Sequence, residues 1–400
     1  MATVSGRWTP QHRADTVWPE LPFEVPQVCQ GLRIELEFER QAGVLDLGLI
    51  DPLGWRGWSG GAKSVVEIGP DSATPGYLDR GLPPGEWRVV LGLHRLPDGG
   101  LPYRLQVSTA DVSLADPPAV PLPARRPARQ LPGVDGKRWL AGDLHAHTLH
   151  SDGALTVPEL AALGTASGLD FLAVTDHNTT SHHPQLQTFG RQYGLALLPG
   201  QEVTTADGHA NAFGDVGWID FRQPAAEWFS QVGERGGLLS INHPLTGDCA
   251  WRHPMTAPPP AAEIWHSSWF DRTWGAPLTW WNAMTALGDT PIPLGGSDFH
   301  RHGSDGALGA PTTWVSCADD SAEAVLAGLL AGGTAISAGI DGPLLLRIGD
   351  DLLALQADGS MLVCPDGRRS PVRADSEEFG DHLGPHILES NGRVVLAISS

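Results

Sequence analysis

The chain has no run of about 18 consecutive apolar residues, so no membrane-crossing helix is predicted. Its opening residues, Met-Ala-Thr-Val-Ser-Gly-Arg-Trp, lack the apolar core of a secretory leader. Cysteine is scarce. Cys29, Cys249, Cys317 and Cys364 lie far apart without Cys-x-x-Cys spacing, which reads as free thiols in a reducing cytoplasm. No Gly-x-x-x-x-Gly-Lys loop is present, which excludes a nucleotide-driven motor. No Ser-His-Asp ordering points to a serine hydrolase. Positive charge is also short: 26 Lys and Arg, nearly all of them Arg, face 46 Asp and Glu, for a formal net charge of −20. Such a surface repels long nucleic acid, whose nonspecific binding is electrostatic. It leaves room for a short phosphorylated substrate drawn to bound metal ions, because part of the negative charge would be the ligands themselves.

Four hundred residues suffice for two or three domains. Residues 1–115 carry strand-like runs, among them Leu32-Arg-Ile-Glu-Leu-Glu-Phe and Glu86-Trp-Arg-Val-Val-Leu-Gly-Leu, separated by turns such as Pro83-Pro84-Gly85. They predict a small antiparallel β-sandwich, with Trp55, Trp58 and Tyr77 serving packing ahead of ligand binding. Residues 116–138, rich in Pro, Ala and Arg, read as an extended linker.

From Trp139 strand and helix patterns alternate. Thr156-Val157-Pro158-Glu159 is a capping box that opens a helix ending near Gly168. Strand-like runs fall at 171–175, 196–198, 238–241, 263–265 and 292–294, with helix-like stretches at 225–235, 277–287 and 321–331. Together, residues 139–338 predict a parallel, barrel-like α/β domain with its chemistry at the C-terminal strand ends. Residues 339–400 predict a small β appendage that completes the N-terminal sandwich.

Five stretches bring strands to His, Asp or Glu: His145-Ala-His147 with Asp152, Asp176-His177-Asn178, Glu202, Asn242-His243-Pro244, and Ser297-Asp298-Phe299-His300. Strand alternation places His145 and His147 on one face. Imidazoles bind zinc, iron or manganese and carboxylates bridge neighbouring ions, the mixture a hydrolytic metal cluster needs. His209, in a Gly-His-Ala-Asn loop, or Asp298 could protonate a leaving oxygen, and Arg301 could hold a phosphate. Asp176 reads as the partner that orients the ring of His177. His150, His182, His183 and His302 read as loop or supporting residues. Trp251, Trp265, Trp269, Trp274, Trp280 and Trp281 suit either an apolar pocket or the packing of a long loop.

These motifs, over residues 139–338, resemble those of the PHP (polymerase and histidinol phosphatase) superfamily. The Gly-Trp-Arg-Gly-Trp-Ser-Gly-Gly run at 54–61, with Ala73-Thr-Pro-Gly-Tyr77, is similar to the leader domain of its CehA/McbA-like branch, which includes carbaryl hydrolases. The resemblance implies a distorted (β/α)7 barrel holding two or three divalent ions. The first ion would take His145, His147, Glu202 and Asp298; the second Asp152, His177 and His300. A third would share Glu202 with His243 and with Glu263 or His266. The leading expectation is a cytoplasmic, metal-dependent phosphoesterase, a phosphatase or 5'-3' exonuclease-like enzyme, acting on a small phosphorylated substrate or an oligonucleotide end. A carbamate, ester or amide hydrolase is the alternative, and a non-catalytic metal-binding or scaffold protein stands third. A homo-oligomer is compatible with either enzyme.

Overall fold

The computed structural model describes residues 2–115, 119–269, 272–273, 275–303, 306–380 and 384–400. Trp274 and linker residues 116–118 lie outside the described residues. The chain is mixed α/β and divides into two units. One is Met1–Pro118 with Thr148–Thr156 and Asp176–Pro184; the other is Ala119–His147, Val157–Thr175 and Gln185–Ser400.

The first unit holds two four-stranded antiparallel sheets. One runs Ala2–Trp8, Leu101–Thr109, Leu32–Phe38, Val65–Ile68; the other Glu20–Val25, Gly85–Arg95, Val44–Asp51, Gly54–Trp58. Alternation does the work expected of half-buried strands. Leu32, Ile34 and Leu36 of one sheet and Leu45, Leu47, Trp87, Val89 and Leu91 of the other fall into one buried cluster. Trp58 and Tyr77 are buried as well, and the Tyr77 hydroxyl donates to the Leu47 carbonyl at 2.8 Å. Ser59 is buried, its hydroxyl 2.9 Å from that of Tyr77. The Gly-x-Ser-x-Gly spelling at 57–61 is therefore a structural turn, with no helix behind it.

A thirteen-stranded sheet organises the second unit. Arg138–Asp143, Phe171–Val174 and Ala196–Thr205 run parallel, as do Leu238–Ile241, Ala261–His266 and Ile292–Gly296. Buried on both faces, these read as near-continuous apolar runs such as Phe171-Leu-Ala-Val. Between the two sets lies Gly208–Phe213, antiparallel to both neighbours. The sequence reading took Gly-His-Ala-Asn for a loop, because a short polar strand has no apolar signature. It is the return arm of a hairpin. The sheet is therefore mixed rather than all parallel, and Thr312–Cys317 also pairs antiparallel with Arg138–Asp143. Past the strand ends, Phe299 bridges to Ala146, and His147 N–H donates to the Phe299 carbonyl at 2.9 Å. Helices Val157–Ser167, Ala225–Glu234, Ala276–Leu287 and Ala322–Leu330 fall where expected. His183–Tyr193 is an additional helix, missed because it buries little beyond Leu186, Gly190 and Tyr193. No helix among the described residues is long and apolar enough to cross a membrane.

The C-terminal strands do not complete the N-terminal sheets. Val395–Ser399 pairs with Thr334–Ser337 and extends the long sheet of the second unit. Ile387, Val395 and Ile398 bury Trp265, Trp269 and Trp281, so these tryptophans are core packing. Trp280 packs against the same cluster, whereas Trp251 packs against Trp228, Phe229 and His253. None of the four cysteines is joined in a disulfide.

Tight contact between neighbouring strands depends on Gly142, where a Cβ would overlap the ring of Phe171. Overpacking of this kind costs about 1–3 kcal/mol. Gly142→Ala should lower the urea midpoint accordingly, without changing the slope of the transition.

Candidate metal centre

The bridge at Ala146 keeps residues 145–147 extended, so both imidazoles leave on one side with ring centres 5.1 Å apart. Asp143 secures this turn. Its buried carboxylate accepts N–H bonds from His145 (3.1 Å), Ser297 (3.0 Å) and Gly309 (2.7 Å), tying the first ligand strand to the last. Glu202 lies mid-strand in Ala196–Thr205, fully buried. Its Oε1 accepts from Asn242 Nδ2 at 2.7 Å and lies 3.2 Å from His145 Nε2, 3.2 Å from His209 Nδ1 and 3.5 Å from His243 Nε2. Its Oε2 faces His147 Nε2 at 3.6 Å.

Asp298 is the counterpart. Oδ1 sits 2.9 Å from His147 Nε2 and 3.2 Å from His145 Nε2, while Oδ2 lies 3.4 Å from His266 Nε2. His300 stacks on His147 at 4.2 Å and directs its Nδ1 to the Asp298 carbonyl at 2.8 Å. The backbone is left-handed at His243 (φ 26°) and Asp298 (φ 53°). Non-glycine residues are held there only when surroundings over-determine them, which is common at working sites.

Glu263 is occupied at both oxygens. Oε1 lies 3.0 Å from His145 Nδ1, and Oε2 accepts the His243 N–H at 2.8 Å. With Nδ1–H of His145 given to Glu263, the Nε2 lone pair points at two carboxylates. That arrangement calls for a proton on Nε2 or for a cation between the three groups. His145 Nε2 and His266 Nε2 are buried, with no hydrogen bond of good geometry among the described residues. Bonds of about 2.0–2.2 Å to one metal ion put adjacent ligand atoms roughly 3.0–3.5 Å apart. The spacings of 2.9–3.6 Å among His145, His147, Glu202 and Asp298 match this. The donors of His145, His243, Glu263 and His266 likewise lie within 4.8 Å of one another. The residues fit divalent ions.

Electrostatics agrees. Burial works against a charge on His145, but Asp298, Glu202 and Glu263 overcome it and hold the ring well above the usual histidine range. His243 is raised in the same way, burial being outweighed chiefly by Glu202. Burial would raise Asp298, yet His145, His147 and His266 bring it well below the usual carboxylate range.

Asp152 and His177 lie in the first unit, His177 Nε2 standing 3.6 Å from Asp152 Oδ1. Asp176, expected to orient His177, accepts from Thr148 N (2.8 Å), Thr148 Oγ1 (2.6 Å) and Ser151 Oγ (2.6 Å). It shapes the loop before Asp152. His182 Nδ1 lies 3.3 Å from the same carboxylate, and His150 bonds Ser181 Oγ at 2.7 Å, its pKa lowered by burial to about 4. His302 is exposed, stacked edge-on against Phe299, and Arg301 is exposed beside it. Sequence reasoning assigned no role to Asp143 or Asn242, although both stand inside the motifs it used.

No family model matches the chain. A 5'-3' exoribonuclease of Haemophilus influenzae is 35% identical over 63 residues, 16% of this chain and 23% of that protein. The 5'-3' exoribonuclease Rnm of Salmonella typhimurium is 42% identical over 65 residues, 16% of this chain and 22% of that protein. The chain thus spans under a quarter of the length of these curated relatives. Among solved structures, a two-domain protein from Bacteroides vulgatus, described as containing a predicted PHP-like metal-dependent phosphoesterase, is similar at 16% identity. The match covers 70% of this chain and 91% of that one, with a TM-score of 0.43, too low to establish a shared fold.

Because metal must displace protons from His145 and His243, binding should release protons at neutral pH, and apparent affinity should fall as pH drops. Calorimetric titration with zinc in buffers of different ionisation enthalpy measures this directly. Glu263→Gln, which weakens the hold on His145, should cost about 10–100-fold in metal affinity while leaving the melting temperature of the metal-free protein nearly unchanged.

Proposed function

We propose that the chain is a metal-dependent hydrolase of the PHP type, with an N-terminal sandwich followed in the sequence by a distorted (β/α)7 barrel, and that it cleaves phosphoesters. The observation that carries the reading is the pair of carboxylates, Glu202 and Asp298, each with its two oxygens turned to different imidazoles. A carboxylate so placed bridges neighbouring ions. His145, His147, Glu202 and Asp298 would hold one ion. His243 and His266 would hold another, with Glu202 and Asp298 shared. Glu263 is then the partner that orients His145. Asp152 and His177 remain proposed ligands of a further ion, for which zinc, manganese or iron suits the ligand type. Bound ions supply a water-derived nucleophile at neutral pH and compensate charge on the attacked group.

The protein's own part is positioning and proton supply. Asp298 is kept ionised by the surrounding histidines and serves as a ligand. The leaving oxygen therefore takes its proton from His209, partly open to solvent and fixed through Nδ1 at 3.2 Å from Glu202. Arg301 is proposed to meet a phosphate oxygen. The short exoribonuclease matches favour phosphorus over carbonyl. One observation supports a carbamate or ester hydrolase of the CehA/McbA kind instead. Arg252 is committed to the carbonyls of Ala206 and Asp248, and Arg272 covers Trp265, so little cationic charge is placed for phosphate.

Phosphate release from nucleotides and sugar phosphates and mononucleotide release from short oligonucleotides, measured beside aryl carbamate and ester cleavage, separate the two. We expect phosphate release that drops at least about 1000-fold in Asp298→Ala and by about 100-fold or more in His209→Gln. Carbamate turnover with neither phosphate nor mononucleotide release would transfer the site to carbonyl chemistry.

A further inference from the structure

Lysine is nearly absent from this chain, only Lys63 and Lys137 among 400 residues. Lys63 follows the strand Gly54–Trp58, and its ammonium donates to the Ser151 carbonyl at 2.7 Å, one residue before Asp152. A second tie lies at Gly76. Its N–H donates to Ser181 Oγ at 3.1 Å and approaches His150 Nδ1 at 3.4 Å, and its carbonyl accepts from Thr179 Oγ1 at 2.8 Å. Gly76 is at φ 105°, and a Cβ there would stand 2.7 Å from the His150 carbonyl and 2.8 Å from that of Trp58. Only glycine lets the strands and the loop approach so closely. Lys63 and Gly76 thus grip Thr148–Thr156 and Asp176–Pro184, the segments that carry Asp152 and His177 and that group with the N-terminal sheets.

We propose that the N-terminal sheets position two metal ligands within their own unit: Lys63 and Gly76 latch the two loops and so hold Asp152 and His177 at ligand spacing, 3.6 Å between their facing atoms. Lys63 is a positioning residue, acting through the Ser151 carbonyl. The inference rests on the metal-hydrolase reading. It differs from it in locating control of one ion outside the strands that supply the ligands.

The test compares Lys63→Met, Lys63→Arg and Asp152→Ala with the wild type. Zinc and manganese are titrated and bound metal is counted by mass spectrometry, with amide exchange of residues 148–156 and melting temperature measured alongside. Lys63→Met should weaken one ion by about 10–100-fold and speed exchange in the loop, and Lys63→Arg should restore both. Added to Asp152→Ala, Lys63→Met should cost nothing further, as expected for residues acting on one ion. A Lys63→Met protein with the full metal complement at wild-type affinity would overturn the latch. So would a lowered melting temperature with no ion lost, since that marks packing alone. Wild-type protein that binds no metal would instead sink the hydrolase reading, and unchanged loop exchange in Lys63→Met would then dismiss the latch by itself.

Discussion

Three carboxylates, the buried Glu202 and Glu263 and the half-buried Asp298, converge on one imidazole, His145. Their mutual repulsion in a water-poor interior has to be balanced by positive charge. Metal-free protein meets this by protonating rings, and bound ions meet it better. Much of the surrounding structure follows from that demand. Asp143 gathers three N–H groups to hold the first and last ligand strands in register, and Asn242 adds an amide donor to Glu202 Oε1 beside the imidazoles. The left-handed backbone at His243 and Asp298 is conformational cost concentrated where side chains must converge.

The candidate ligands were legible in the sequence because most of the acids and imidazoles lie at or near recognisable apolar runs. Which atoms face which was not. Glu263 and His266 are three residues apart, and simple alternation sets them on opposite faces. An irregularity between Glu263 and Trp265 breaks that count, and both reach the cluster. No residue pattern announces such a bulge here. His209 was placed in a loop for a related reason: in a hairpin arm of small and polar residues, pairing is set by neighbouring strands rather than by its own apolar period.

The sandwich-like patterning of the N-terminal residues was readable strand by strand. Their affiliation with Thr148–Thr156 and Asp176–Pro184 was not, because it depends on hydrogen bonds at Lys63 and Gly76 between positions about a hundred residues apart in the chain. The tryptophans between the later motifs were ambiguous for the converse reason. Their partners, Val363, Ile387 and Val395, lie in a segment whose role could not be read before its strands were seen to extend the long sheet.

The pairing of Ala146 with Phe299 has a consequence for how the molecule is made. An ion held between His147 and Asp298 would cross-link two points about 150 residues apart, closing a loop whose entropic cost is high and nearly insensitive to its exact length. The ligands do not assemble in the unfolded chain, so binding energy would act as folding energy. Synthesis under metal limitation would then produce chains that collapse strand by strand yet close their sheet slowly, and metal supply would set yield before it set rate.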